Sequence, residues 1–137
     1  MKIKALDIRK SKYYRHSIDE EHFDLNPKYR EILKLHAMLM EHDIPHIVRR
    51  SFDGWQVCYP VSRPDAECVI DAIEHRGSYG QESDLLEIMG LLTPEEEEYD
   101  AVCGYLTAEN VFERIKKHWD ANRNETAKGA ELHAREN

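Results

Sequence analysis

Between residues 27 and 60 the spacing of apolar side chains changes from one repeat to another, and the change marks the first elements. In LNPKYREILKLHAMLMEHD, Tyr29, Ile32, Leu33, His36, Leu39 and Met40 recur every three or four positions, which puts them on one face of a helix. Asn26 is placed to cap that helix and Pro27 suits its first position, so a helix is predicted over 27–42. His36 lies inside the apolar stripe and reads as a core histidine rather than a ligand. In IPHIVRRSFDGWQVCYPV the period drops to two, and Asp53-Gly54 predicts a type I′ hairpin turn. Phe52 then faces Trp55, Arg50 faces Val57 and Val48 faces Tyr59 on one side, while Ser51/Gln56, Arg49/Cys58 and Ile47/Pro60 pair on the other.

Farther along, CVIDAIEH suits a third strand, because a lone hairpin is marginal and needs covering, although Ser62, Asp65 and Gly77 would also frame a helix. As a strand it sets Val69, Asp71, Ile73 and His75 on one face, from which Asp71 or His75 can approach Arg50. QESDLLEIMG predicts a helix with Leu85, Leu86, Ile88 and Met89 inward and Gly90 ending it. LLTPEEEEYD predicts another, with Thr93 capping, Pro94 first and Glu96 completing a capping box. A third follows in LTAENVFERIKKHWDAN, capped by Thr107, with Val111, Phe112, Ile115 and Trp119 inward. KIKALDI alternates weakly, as a short strand would, and SKYYRHSIDEEHF has no period. The predicted organisation is a loosely docked extension over 1–26, one α+β domain over 27–121 and a disordered tail over 122–137. The fold expected is a small antiparallel sheet built on the hairpin, covered by the 27–42 helix and a C-terminal helical group.

Composition narrows the classes of function. A chain of 137 residues with 41% hydrophobic and 34% charged side chains is a globular composition, long enough to bury a core without staples. It contains no apolar run near the roughly 20 residues that span a bilayer, and MKIKALDIRK lacks the apolar stretch of a signal peptide, so a cytoplasmic protein that does not engage membranes is expected. Cys58, Cys68 and Cys103 are odd in number, without a CxxC pair, and read as buried, reduced thiols. The net charge of −8 excludes duplex nucleic acid as a direct ligand, because neutralising phosphate needs a basic face. Acid gathers toward the C-terminus, where residues 93–137 hold eleven carboxylates against six basic side chains, most densely at Glu95, Glu96, Glu97, Glu98 and Asp100. Such a run also suits a solvated first helical turn, where carboxylates meet the positive end of the helix dipole.

Catalytic chemistry finds little purchase. The eight histidines include no HExxH, and His42 and His46 straddle Pro45, so no metal or cofactor is expected. Cys58 and His75 lack an orienting third group, and Cys58 sits in a strand rather than at a helix start that would stabilise a thiolate. HRGSYG has neither the spacing nor the lysine of a P-loop, leaving at most an anion nest before the next helix. No enzymatic activity is expected.

The stretches FDGWQVCYP, CVIDAIEHRGSYG and DLLEIMGLLTPEEEEYDAVCGYLTAENVFERIKKHW resemble a family of small proteins encoded in phages and prophages of Gram-positive bacteria, gut Firmicutes especially. The resemblance covers about residues 29 to 119, is most specific in DLLEIMGLLTPEE, and brings no catalytic residue with it. It implies a short accessory protein in the cytoplasm of a bacterial host, acting stoichiometrically on host machinery or defence. Two readings follow. In one, the acidic surface of Glu95, Glu96, Glu97, Glu98 and Asp100 imitates nucleic acid for a basic host protein, such as a nucleic-acid-binding defence component. In the other, the protein sequesters a nucleotide signal with Arg49, Arg50, Trp55, Tyr59, Asp71, His75, Arg76 and Tyr79 as anion partners and stacking shelves. Burial of Trp55 and Tyr59 would remove the shelf. The oligomeric state is not legible in the residues.

Overall fold

Among the described residues five strands follow one another in the chain and in space. They are β1 (Ile47–Ser51), β2 (Gly54–Tyr59), β3 (Ile70–Glu74), β4 (Leu86–Met89) and β5 (Cys103–Leu106), each antiparallel to its neighbour in the order β1-β2-β3-β4-β5. Among the described residues three α-helices of more than one turn accompany them: α1 (Glu31–Glu41), α2 (Pro94–Tyr99) and α3 (Ala108–Glu136). The structure, a computed structural model, describes residues 8–17, 28–61 and 68–136. This is the expected α+β architecture, with the hairpin at one end of the sheet and helices over one face.

Strand period decides that face. Val48, Trp55, Val57, Tyr59, Ile70, Ala72, Leu86 and Ile88 alternate inward and join Ile32, Leu35 and Leu39 of α1 and Val111, Phe112 and Ile115 of α3 in one buried cluster. Thr93 and Glu96 form the predicted capping box at α2, and Thr107 Oγ1 accepts from Asn110 N at 3.2 Å at the start of α3.

The helix predicted over 27–42 is shorter than expected, beginning at Glu31, and its proposed caps at 26 and 27 lie outside the described residues. Its free N–H groups are met from afar instead. Asp84 Oδ1 accepts from Arg30 N at 2.8 Å and Glu31 N at 3.1 Å, and Glu74 Oε1 accepts from Ile32 N at 3.1 Å.

The hairpin register differs from the expected one by two residues: Arg50 pairs with Trp55, Val48 with Val57 and Ser51 with Gly54. Phe52 and Asp53 form the turn, and Phe52 has the positive φ, 51°. Gly54 is a strand residue. A Cβ there would lie 1.9 Å from the Glu74 carbonyl oxygen, so this glycine is required by the approach of β3 and not by turn geometry. A shift of two preserves side-chain parity, so Val48, Arg50, Trp55, Val57 and Tyr59 still share a face, while Phe52 leaves it and is 52% exposed.

LLEIM forms a strand where a helix was expected. A 3₁₀ turn at Gln81–Ser83 ends at Asp84 with φ 55°, after which Leu86 and Ile88 point inward and Glu87 and Met89 outward. Tertiary pairing on both sides, to β3 and β5, overrides the helical spacing of the same leucines. The strand β5 was not anticipated.

Beyond residue 121, where disorder was expected, α3 continues to Glu136 through a run whose commonest residues are Ala and Glu. Part of the extension is firmly seated: Ile8 and Tyr13 are buried, and Val48 N donates to Tyr13 O and Arg15 N to Val48 O, both at 2.8 Å, along the outer edge of β1. The remainder of 1–26, including most of KIKALDI, lies outside the described residues.

Candidate functional site

The eight residues expected around a nucleotide separate into four places. Arg50, Trp55 and Tyr59 face the core, exposed by 1%, 3% and 2%. The Arg50 guanidinium lies 5.0 Å from the centre of the Trp55 ring, which is not its sole contact, and Tyr59 Oη is 2.8 Å from His118 Nδ1 on α3. An aromatic ring covered in this way cannot stack on a base.

Asp71 is not the neighbour of Arg50. The pairing Trp55 to Glu74 puts Ile70, Ala72 and Glu74 on the core face and turns Asp71 and Ile73 to the other. There Arg49 Nε donates to Gln56 Oε1 at 2.5 Å and Gln56 Nε2 to Asp71 Oδ1 at 2.8 Å, a chain across three strands. Burial raises the pKa of Asp71, against the hydrogen bond from Gln56 and the charge of Arg49. His75 and Arg76 sit at the hairpin tip with Phe52, His75 at 4.8 Å ring to ring and the Arg76 guanidinium 5.8 Å above the Phe52 ring. Tyr79 lies elsewhere.

The carboxylate on the core face is Glu74, which the sequence reading passed over. It is fully buried, and burial, followed by a hydrogen bond with Asp84, pushes its pKa up to about 9. Glu74 accepts from Ile32 N through Oε1, and the nearby Asp84 carboxyl further favours its neutral form. A second buried polar group lies by the seated extension. His36 Nδ1 is 2.8 Å from His46 Nε2, His46 Nδ1 is 2.8 Å from Ile44 O, and the Tyr13 ring stacks 4.3 Å from His46. With both rings neutral near pH 7, the carbonyl fixes the proton on His46 Nδ1, so its Nε2 accepts from His36. Burial lowers both pKa values to about 4.

Tyr79 instead helps to form a cleft of about 650 Å³ with Glu95, Glu96, Tyr99, Asp100, Val102, Cys103, Gly104 and Tyr105. Three tyrosines stand in solvent around it: Tyr79 is 57% exposed, Tyr105 56% and Tyr99 91%. Two close crossings hold the walls together. A Cβ on Gly104 would come within 2.3 Å of Tyr79 Cβ, and one on Gly80 within 2.9 Å of Tyr105 N. The loop before β4 therefore lies directly on β5, with Tyr105 N donating to Tyr79 O at 3.3 Å and Tyr105 Oη to Glu82.

Within the acidic run, Glu96 plays a different part from its neighbours. Arg114 grips it with two hydrogen bonds of 2.7 and 2.9 Å and holds its carboxyl down at about 2, tying α2 to α3. Among the described residues no basic side chain stands within ion-pair distance of Glu95, Glu97, Glu98 or Asp100, all of which are exposed. One signal for the cleft was available in the sequence: its tyrosines occur in GSYG, EEYD and CGYL, outside any apolar period and beside glycine or acid.

No cluster of side chains suited to a metal occurs among the described residues, and no helix among them is long and apolar enough to cross a membrane. The arrangement is that of a small α+β domain with a meander sheet and an aromatic, acidic cleft beside its last strand. Comparison of the chain with models of protein families, with curated proteins and with solved structures returned no match.

Proposed function

We propose that the chain is a non-enzymatic protein-binding module that engages a basic partner stoichiometrically through the exposed acid of α2 and Asp100. The observation that carries this reading is that Glu95, Glu97, Glu98 and Asp100 are exposed and uncompensated among the described residues while Glu96 between them is fixed to Arg114. One carboxylate anchors the element and the others are left to present charge. A surface of this kind raises the rate of encounter with a positively charged partner and selects against acidic ones. The resemblance to phage and prophage proteins makes a nucleic-acid-binding component of host defence the partner class to test first, in the bacterial cytoplasm. The nucleotide reading has weaker support, because Trp55 and Tyr59 are covered.

The test is affinity capture from bacterial lysate, repeated with a triple variant Glu95→Lys, Glu97→Lys and Glu98→Lys, followed by titration of the purified complex with salt. The expected partner is basic, is lost by the variant, and binds at least about tenfold more weakly at 200 mM than at 50 mM salt, as screening of exposed charges demands. An acidic partner, or an affinity indifferent to salt and to the charge reversal, contradicts the proposal.

A further inference from the structure

The cleft carries more chemistry than an acidic patch. Three exposed phenol rings converge on one depression, and Glu95 and Asp100 stand on its rim without a basic side chain beside them among the described residues. Ring faces are electron-rich and the rim is anionic, so the group that satisfies both is a planar cation. A guanidinium fits better than an ammonium, since it stacks flat on a phenol ring while presenting paired N–H donors to a carboxylate. The acid also continues past the cleft to Glu97 and Glu98, which are exposed on α2 and do not line the depression of about 650 Å³. An extended polypeptide can reach both. The walls are preorganised by the Gly104 and Gly80 crossings and by the Glu96–Arg114 pair, so binding need not order them.

We propose that the cleft seats an arginine side chain from a basic segment of the partner, with its guanidinium against Tyr99, Tyr79 and Tyr105 and its charge met by Glu95 and Asp100. This deepens the reading of the acidic surface and rests on it.

The experiment uses the full chain, ¹⁵N-labelled, titrated with the peptide Ac-Gly-Arg-Arg-Gly-NH₂ and with the same peptide carrying citrulline or lysine in place of both arginines. Saturable amide shifts are expected around residues 79, 99 and 105 with the arginine peptide. Citrulline keeps the shape and loses the charge, and should bind at least about tenfold more weakly, with lysine in between. Tyr99→Ala, at a position 91% exposed, should weaken the arginine peptide about threefold to tenfold without altering the melting temperature. Equal binding of the citrulline peptide, shifts that map away from the cleft, or no shift at millimolar peptide overturns the proposal. The captured partner separates the two levels. If its binding depends on Glu97 and Glu98 but is unchanged by Tyr99→Ala, the cleft inference falls and the acidic reading stands; if neither substitution matters, both fall.

Discussion

The hairpin face and the cleft are both built around aromatic side chains and end in opposite environments. Arg50, Trp55 and Tyr59 lie at 1–3% exposure under two helices, whereas Tyr79, Tyr99 and Tyr105 stand 56–91% exposed beside the exposed carboxylates of Glu95 and Asp100. Aromatic content does not separate them. Position does: the first set occupies alternating inward sites of a strand pair that α1 and α3 cover, and the second occupies a loop, a helix end and a short edge strand that nothing described covers. Aromatics in periodic segments are core, and aromatics in punctuating segments are available for contact. The prediction is that hairpin substitutions cost stability and cleft substitutions cost binding.

The largest effects should arise in the hairpin. Gly54→Ala forces a Cβ into the Glu74 carbonyl and should cost about 3 kcal/mol or more in chemical denaturation. Trp55→Ala, which removes a ring 3% exposed from the cluster and from over Arg50, should cost about 3–5 kcal/mol. A midpoint unmoved by either would break the comparison at its buried end.

Next in size is a dependence of stability on pH set by the two buried polar groups. The pKa of Glu74 is raised from 4.5 to about 9, so the folded state holds a proton that the unfolded state has released; its stabilisation is complete below pH 4.5 and declines as pH rises toward 9. The slope is at most about 1.4 kcal/mol per pH unit. His36 and His46 have the opposite sign. Their pKa values fall from 6.5 to about 4, so their contribution is complete above 6.5 and is lost as pH falls toward 4. Melting temperatures should peak near neutrality. Glu74→Gln keeps an acceptor for Ile32 N while removing the titrating group, and should flatten the alkaline decline while leaving the acid one intact. An alkaline decline that survives the substitution places its origin elsewhere.

Smaller again is Arg114→Leu, which frees Glu96 and should cost about 1–2 kcal/mol, loosening α2 and weakening the partner more than a substitution confined to the hairpin tip such as Arg76→Ala. The smallest effect on stability belongs to Tyr99→Ala, within about 0.5 kcal/mol, although it should be among the most damaging to binding.

Much of the buried half was legible from the chain because period and parity survive local error. The hairpin was placed two residues out of register, yet apart from Phe52, which falls in the turn, its core face was right, since a shift of two leaves the strand side chains on their side. The identity of the partner carboxylate was not robust in the same way. Choosing Asp71 over Glu74 assumed the wrong parity for β3, which only the pairing of Trp55 with Glu74 fixes. LLEIM carries apolar residues at both helical and strand spacings, so only its neighbours β3 and β5 decide it. CGYL is four residues long with a glycine, too short to show a period. The cleft was legible in its parts alone: the acidic run was noted, but the meeting of residues 79, 99 and 105 requires β5 to lie on the loop before β4, and no local pattern specifies that contact.

Hydroxyl-radical footprinting of the protein, free and saturated with its captured partner, reads both ends of the comparison in a single measurement, because tyrosine and tryptophan side chains react in proportion to their exposure. In the free protein Tyr99, Tyr79 and Tyr105 should be modified heavily and Trp55 and Tyr59 scarcely at all. Adding the partner should protect the three tyrosines of the cleft and leave Phe52 and Arg76 at the hairpin tip unchanged. Heavy modification of Trp55 in the free protein, or protection that falls on the hairpin tip while Tyr99 remains reactive, would contradict the account.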